Sequence, residues 1–502
     1  MTNTSAMRKN ILYLIAFAVI SRFLINIKEI IIENGIVFRI DSYTLVLSTI
    51  MLFTKIIGDS AILALIPLFQ EIKKKYDLDK KVEYTNNLIN ITLLIFLAVF
   101  AAGFVGAPII IKIFGPSLES IELENAVWMF RAGLPIFELY LFKSIGGAYL
   151  QAEHGFRAGA KGGAVYELVL IVYLIFFARY FGLKGYMAAT VFAVLSQAYI
   201  IYISMKKKGY KYEFRIDFKD DNIKKSFLFL LTVIISSVIN QMNTSIGSTF
   251  ASILSEGNVL ELKHASEIIS LFINLFVTAG ITVIFPVLSE SFIENDTEML
   301  KQRVRNGIRY LLVFTIPVAI LLMVMAEPIV KIFFERGALN SGASFFTSQA
   351  LVYYALGLPA MAMVPFITRA YYSMKDMQTP IVLGISMLTI NAVLNLLLVP
   401  FMGIKGVALA SSLSTIMIAV IGVFDLDRKL GIFRNESIKN TAIRLIISST
   451  AMIAGISIIY VAALLFKENI PLYNIITVGL SSISGILSYV LIYRNLKLEY
   501  KI

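Results

Sequence analysis

Fourteen stretches of roughly 20 predominantly apolar residues follow one another along this chain. Their limits are 10–32, 43–69, 88–111, 126–150, 160–181, 186–205, 226–250, 266–290, 308–333, 347–373, 380–400, 404–424, 441–465 and 473–493. A hydrocarbon layer about 30 Å thick takes about 20 helical residues to cross. Inside it there is no water to satisfy backbone groups, so a spanning segment must be a helix or part of a closed barrel. Continuous runs of this length predict helices, and the fold class predicted is an all-α polytopic membrane protein with about 14 transmembrane helices. With 58% hydrophobic and 16% charged residues, the chain has too few polar side chains to cover a soluble globule. Arg8 and Lys9 precede the first run as in a signal peptide. Arg22 then follows without a small-residue cleavage site and the apolar pattern continues to Ile32, so a retained first helix is predicted.

Charge sets the orientation. With the N-terminus inside, inner segments hold 30 of the 45 Lys and Arg, outer loops hold 9, and 6 lie within spans. This asymmetry predicts that both termini are cytoplasmic. The net charge of +12 therefore implies no nucleic-acid partner. The largest inner connector, Lys206-Lys207-Lys208 to Lys225, is expected to fix topology beside anionic lipid. The absence of Cys excludes thiolate metal sites and disulfides, and two distant His residues make a zinc site or a hydrolytic triad improbable. Neither a phosphate-binding Gly loop nor an HExxH sequence occurs, and the Gly155–Gly163 stretch is expected to be a tight helix connection.

The chain also matches itself at offsets of 219 to 224. Pro67-Leu68-Phe69-Gln70-Glu71 corresponds to Pro286-Val287-Leu288-Ser289-Glu290, Gly133-Leu134-Pro135 to Gly357-Leu358-Pro359, and Gly182-Leu183-Lys184-Gly185 to Gly403-Ile404-Lys405-Gly406. Each repeat contains six crossings, so both insert the same way up, the parallel-repeat arrangement of transporters. The predicted organisation is a six-helix lobe at 1–220, a second at 221–428 and two additional helices with a cytoplasmic tail at 429–502, the lobes related by pseudo-two-fold symmetry.

A charge at mid-membrane costs at least about 2.5 kcal/mol and usually lines a cavity or pairs. The first helix carries Arg22, Asn26, Glu29 and Glu33 on one face, with Lys28 at its flank. The second carries Lys55 and Asp59 at i, i+4, spaced for an internal ion pair. Arg22 and Lys28 are candidates for an anionic substrate. Arg131 and Lys143, near span ends, are expected at the interface. Glu138 and Glu167 suit either a cross-helix pair or proton coupling. Glu267 is expected to be neutralised locally near His264. The seventh span offers Asn240, Gln241, Asn243, Thr244 and Ser245 for hydrogen bonding and no carboxylate.

Several segments resemble one family: Phe333-Phe334-Glu335-Arg336-Gly337-Ala338-Leu339, Ala355-Leu356-Gly357-Leu358-Pro359, Thr368-Arg369-Ala370-Tyr371-Tyr372 through Pro380, Gly403 to Ser411, Ser21-Arg22-Phe23-Leu24 with Lys28-Glu29, and Gly58-Asp59-Ser60-Ala61. Together they are similar to the MurJ (MviN) lipid II flippases of the multidrug/oligosaccharidyl-lipid/polysaccharide exporter superfamily. The resemblance implies movement of an undecaprenyl-pyrophosphate-linked glycan from the inner to the outer leaflet by alternating access, with no enzymatic chemistry. It implies that Arg22 and Lys28 face pyrophosphate, that Glu29 and Asp41 match acidic family positions, and that the last two helices help form a lipid-tail groove. The family's second-span cavity arginine is replaced by Thr54 beside Lys55, its eighth-span arginine by Glu267, and acidic sodium ligands of some members by Gly247 and Asn395.

The function expected is that of a lipid II flippase of the bacterial cytoplasmic membrane. Its substrate-binding residues are expected to be Arg22, Asn26, Lys28, Glu29, Asp41, Lys55, Asp59, Asn240, Gln241 and Asn243. No cofactor and no metal are expected, with drive from the membrane potential or a monovalent cation. The alternatives are a Wzx-like flippase for another polyprenyl-linked polysaccharide unit and a MATE-like ion-coupled antiporter of small molecules.

Overall fold

The computed structural model describes residues 4–33, 41–116, 118, 120–254, 258–334, 341–433, 438–464 and 473–496, and these are almost entirely helical. In chain order the helices are α1 (Thr4–Glu33), α2 (Asp41–Lys75), α3 (Leu78–Phe114), α4 (Ser120–Gly133), α5 (Pro135–Ala152), α6 (Arg157–Val172), α7 (Ala178–Lys206), α8 (Asp221–Leu254), α9 (Asn258–Phe272), α10 (Thr278–Ile293), α11 (Thr297–Val324), α12 (Ala326–Phe334), α13 (Ser341–Ser373), α14 (Gln378–Met402), α15 (Ile404–Leu430), α16 (Ile438–Leu464) and α17 (Tyr473–Asn495). Among the described residues, twelve continuous helical stretches are long and apolar enough to cross a membrane. They reconcile with fourteen crossings at two places. The stretch Arg157–Lys206 counts once but reverses at Gly182. The crossing broken at Pro135 is split into α4, too short alone at 14 residues, and α5, not apolar enough alone with Glu138 and Lys143 in its 18 residues.

That reversal explains a repeated sequence. Gly182 has φ 60° and ψ −156°, and Gly403 has φ 56° and ψ −133°, a region open only to glycine. Three residues on, a Cβ at Gly185 would lie 2.2 Å from the Tyr173 hydroxyl, and one at Gly406 would lie 2.7 Å from the Leu398 carbonyl oxygen. The Gly-x-Lys-Gly pattern is thus a helical hairpin in both repeats. Its first glycine turns the chain and its second lets the returning helix pack closely.

The chain packs as two compact units. The first comprises Met1–Val238 with the short segments Thr282–Glu294 and Tyr372–Met377; the second comprises Ile239–Ile281, Asn295–Tyr371 and Gln378–Ile502. Within the first, apolar burial is divided between two clusters. One contains Tyr43, Val46, Ile50, Ile136 and Met187, and the other Leu65, Phe69, Ile145, Tyr149 and Tyr210. On α2 the interval between them is 51–60, and on α5 it is 137–144. Thr54, Lys55, Asp59, Glu138, Tyr140 and Lys143 all fall in this mid-depth gap. The second unit has a core around Leu322, Leu351, Tyr354, Val407 and Ile456.

The basic connector is more than a charged loop. Asn86, Asn87 and Asn90, buried on α3, bind its backbone: Asn86 Nδ2 donates to the Lys211 carbonyl, Asn87 exchanges two bonds with Asp217, and Asn90 Nδ2 donates to the Arg215 carbonyl. Tyr210 and Tyr212 donate back to Asn86 and Asn90. A non-helical segment carries backbone groups that need partners, and this asparagine row supplies them.

Gly406→Ala should destabilise the protein by about 1–3 kcal/mol, since the added methyl meets backbone that cannot swing aside. Ile404→Val, in the same hairpin, should cost about 0.5–1.5 kcal/mol. Thermal unfolding of the detergent-purified variants measures both.

Candidate functional site

Arg22 and Asn26 are exposed on α1, and so is Glu29. Among the described residues Arg22 enters no ion pair. Lys28 differs: its Nζ donates to Glu167 Oε2 of α6 at 2.7 Å, with side-chain exposures of 17% and 10%. Of the two roles open to Glu138 and Glu167, a cross-helix pair is not formed among the described residues, since Glu167 is engaged with Lys28. Lys28 consequently presents an ion pair rather than a bare ammonium. Of Glu33 and Asp41, only the backbone is described, at the end of α1 and the start of α2.

The mid-depth gap gathers a second group. Lys55 is exposed on α2, and its internal pair with Asp59 is not formed among the described residues. Asp59 instead accepts a long 3.4 Å bond from the Tyr140 hydroxyl of α5. Gly58 permits this approach, since a Cβ there would stand 2.5 Å from the Tyr140 ring. Lys143 was expected at an interface but is half-buried, its Nζ 3.7 Å from the Tyr140 ring centroid and 3.1 Å from Gln197 Oε1 of α7. Ring and amide carry that ammonium without a surface. The i, i+3 spacing of Tyr140 and Lys143 was the available signal. Arg131 of α4 donates from Nε to the Phe104 carbonyl and lies over the Phe104 ring.

In the second unit Asn240 and Gln241 are exposed on α8. Asn243 is not free for a ligand: it is buried and accepts from Asn391 Nδ2 at 2.9 Å, while Asn395 Nδ2 donates to Asn391 Oδ1. This amide chain fixes α8 against α14. No group of three or more His, Cys, Asp or Glu that could hold a metal occurs among the described residues. Glu267 lies 3.9 Å from Lys263 and 3.7 Å from His264, a local exposed cluster.

One cluster escaped the sequence reading. At the basic end of the first unit Glu71 of α2 receives Lys75, Lys225 and Lys375, at 2.9, 3.0 and 2.5 Å. Gln70 beside it donates to the Pro286 carbonyl, so the two copies of the Pro-to-Glu motif meet there. Lys375 sits at φ 60°, which costs a non-glycine residue about 1–3 kcal/mol and persists where surroundings over-determine it; its ion pair is such a constraint. Nearby, Lys81 is fully buried, paired with Glu153 at 2.8 Å and 4.0 Å from the Tyr149 ring centroid.

A family model for the lipid II flippase MurJ matches residues 35–478. The chain belongs to this family. Among curated relatives, a probable lipid II flippase MurJ of Rickettsia prowazekii is 24% identical over 385 residues, covering 74% of each chain. One of Rhizobium tropici is 23% identical over 411 residues, covering 80% of this chain and 77% of its own. A solved lipid II flippase MurJ in an inward closed conformation matches with TM-score 0.67 and 22% identity over 96% of this chain. An outward-facing multidrug resistance MATE transporter gives 0.72, but at 14% identity and over 87% of this chain. The slightly higher score reflects a shared fold. Coverage separates the two, and the MurJ match extends over more of the chain. The protein is thus a multi-pass membrane transporter of the MurJ family.

Burial raises the Glu71 carboxyl, but hydrogen bonds from Lys375, Lys75 and Lys225 outweigh it and leave its pKa at about 2. A depressed carboxyl contributes stability that is fully present above its ordinary value of 4.5 and lost as pH falls toward about 2. Glu71→Gln should therefore lower stability at neutral pH and flatten the acid limb between those values, as read by unfolding midpoints in detergent.

Proposed function

We propose that this protein moves lipid II, an undecaprenyl-pyrophosphate-linked glycan, from the inner to the outer leaflet of the bacterial cytoplasmic membrane by alternating access. The observation that supports this most directly is Arg22: an arginine on a transmembrane helix, exposed, with no carboxylate on it among the described residues. Such a charge is expensive in hydrocarbon and is retained where a ligand receives it. Its planar fork suits a pyrophosphate bidentately.

Around it the roles divide. Lys28, held by Glu167, orients the head group and contributes little net charge. Lys55 and Lys143, flanking Tyr140, extend the cationic surface at mid-depth. Asn26, Asn240 and Gln241 offer amides to sugar or peptide, and Glu29 and Asp59 offer acceptors to hydroxyl or ammonium groups. The polyprenyl tail stays in lipid, and α16 and α17, beyond the repeat, border it. Both termini face the cytoplasm, which puts the Glu71 cluster and the basic connector on that side. No cofactor is required; the membrane potential or a monovalent cation drives the cycle.

Arg22→Ala should abolish rescue of a strain depleted of its lipid II flippase while leaving membrane abundance unchanged. A charge-assisted contact is worth about 1.5–3 kcal/mol, or about 10- to 100-fold in rate. Arg22→Lys should restore part of it. Rescue by Arg22→Ala at wild-type level would reject the role of Arg22. The neutralisation of Lys28 favours one second reading, a flippase for another polyprenyl-linked glycan. Restoration of capsule or O-antigen export without rescue of the depleted strain selects it.

A further inference from the structure

Within the first unit a cavity of about 170 Å³ opens in the mid-depth gap, bounded by α2, α3, α5 and the first turns of α8. Apart from the hydroxyls of Thr54 and Thr92 and the carboxyl of Glu138, every lining side chain is a hydrocarbon, Phe96, Leu141 and Leu230 among them. Glu138 Oε2 is buried there without a hydrogen-bond partner, and no ion pair of the described residues includes Glu138. Each hydroxyl donates its hydrogen to backbone, Thr54 to the Ile50 carbonyl and Thr92 to the Ile89 carbonyl, so neither donates to Glu138.

The charges on the packed elements point elsewhere. On α2, Asp59 faces Tyr140 and Lys55 is exposed; on α5 itself, Lys143 is turned to Gln197 of α7. On α3 the charged residues are Asp79, Lys80, Lys81, Glu83 and Lys112, all toward its ends. On α7 they are Arg179, Lys184 and Lys206, and on the first-unit part of α8 they are Asp221, Lys224 and Lys225. None of these lines the cavity.

An isolated carboxylate in such walls is strongly disfavoured, whereas the neutral acid is tolerated. A hard metal cation needs about six to eight oxygen ligands, and this cavity supplies one carboxyl and two hydroxyls among hydrocarbon walls. The ligand that fits is a proton. We propose that Glu138 is the coupling-ion site of this transporter: it binds one proton when the cavity is closed and dry, and releases it when the cavity opens to water between α5 and α8. The carboxylate gains and loses a proton with no other bond changed. This deepens the flippase reading by naming the monovalent cation, and it rests on that reading only for what is carried. Protonation biases a two-state packing of Phe227 and Leu230 against α5, and a transmembrane proton gradient then drives the cycle in one direction.

Two measurements on substrate-free protein test the site. The first is the infrared difference spectrum in nanodiscs, stepped between about pH 5 and about pH 9, the range of buried carboxyl titration. Wild type should lose a protonated-carboxyl band on alkalinisation, Glu138→Gln should lack that band, and Glu138→Asp should keep a shifted one. The second uses the lack of native cysteine. Leu230→Cys and the Leu230→Cys/Glu138→Gln double variant should react with a soluble maleimide equally at the acid end, and the single variant about tenfold faster than the double at the alkaline end, the rise in thiolate with pH being common to both. In proteoliposomes, Glu138→Gln should reduce lipid II translocation about tenfold and abolish its response to an imposed pH gradient. A band unchanged in Glu138→Gln, or a gradient response that survives it, overturns the proton site. A Glu138-dependent band in a protein that carries no lipid II overturns the substrate and leaves the proton site standing.

Discussion

The cost of an unsatisfied charge in hydrocarbon organises this molecule. Each ionisable group within a span must be paired, hydrogen-bonded, kept in a wet space or neutralised by a proton. The first unit shows most of these solutions within a few helical turns. Glu167 accepts Lys28, the Tyr140 ring and Gln197 carry Lys143, Arg22 stays exposed, and Glu138 stands alone in an apolar cavity. Two apolar clusters hold the helices together on either side and leave the middle free for polar groups.

At the basic end the same physics works differently. Water is near, so a single exposed ion pair is worth little. Three lysines around a Glu71 that is only 15% exposed form a network, and one of them comes from the turn between α13 and α14. The asparagine row on α3 then ties down the connector between the repeats. Both devices join chain segments far apart in sequence.

Much of the architecture was legible beforehand because it depends on local quantities. Hydropathy summed over about 20 residues marks a crossing whatever its neighbours do. The Gly182 and Gly403 turns repeat because no other residue accepts their φ and ψ. Asn86, Asn87 and Asn90 were passed over, since asparagines before an apolar run look like a polar flank until the connector is seen against them. Lys143 was misplaced for a related reason: distance from a span end does not reveal a ring on the same helix and an amide on α7. The Lys55–Asp59 spacing was right for a pair, but Tyr140 draws Asp59 to another helix.

By itself the sequence determined the number of crossings, the parallel duplication, the asymmetric charge and which side chains are chemically able to meet an anion. Each follows from residue type and spacing along one helix. Tertiary structure decided which of those charges remain available. Coulomb and hydrogen-bond energies depend on distances through space, and residues 139 positions apart, such as Lys28 and Glu167, come together only when α1 packs on α6.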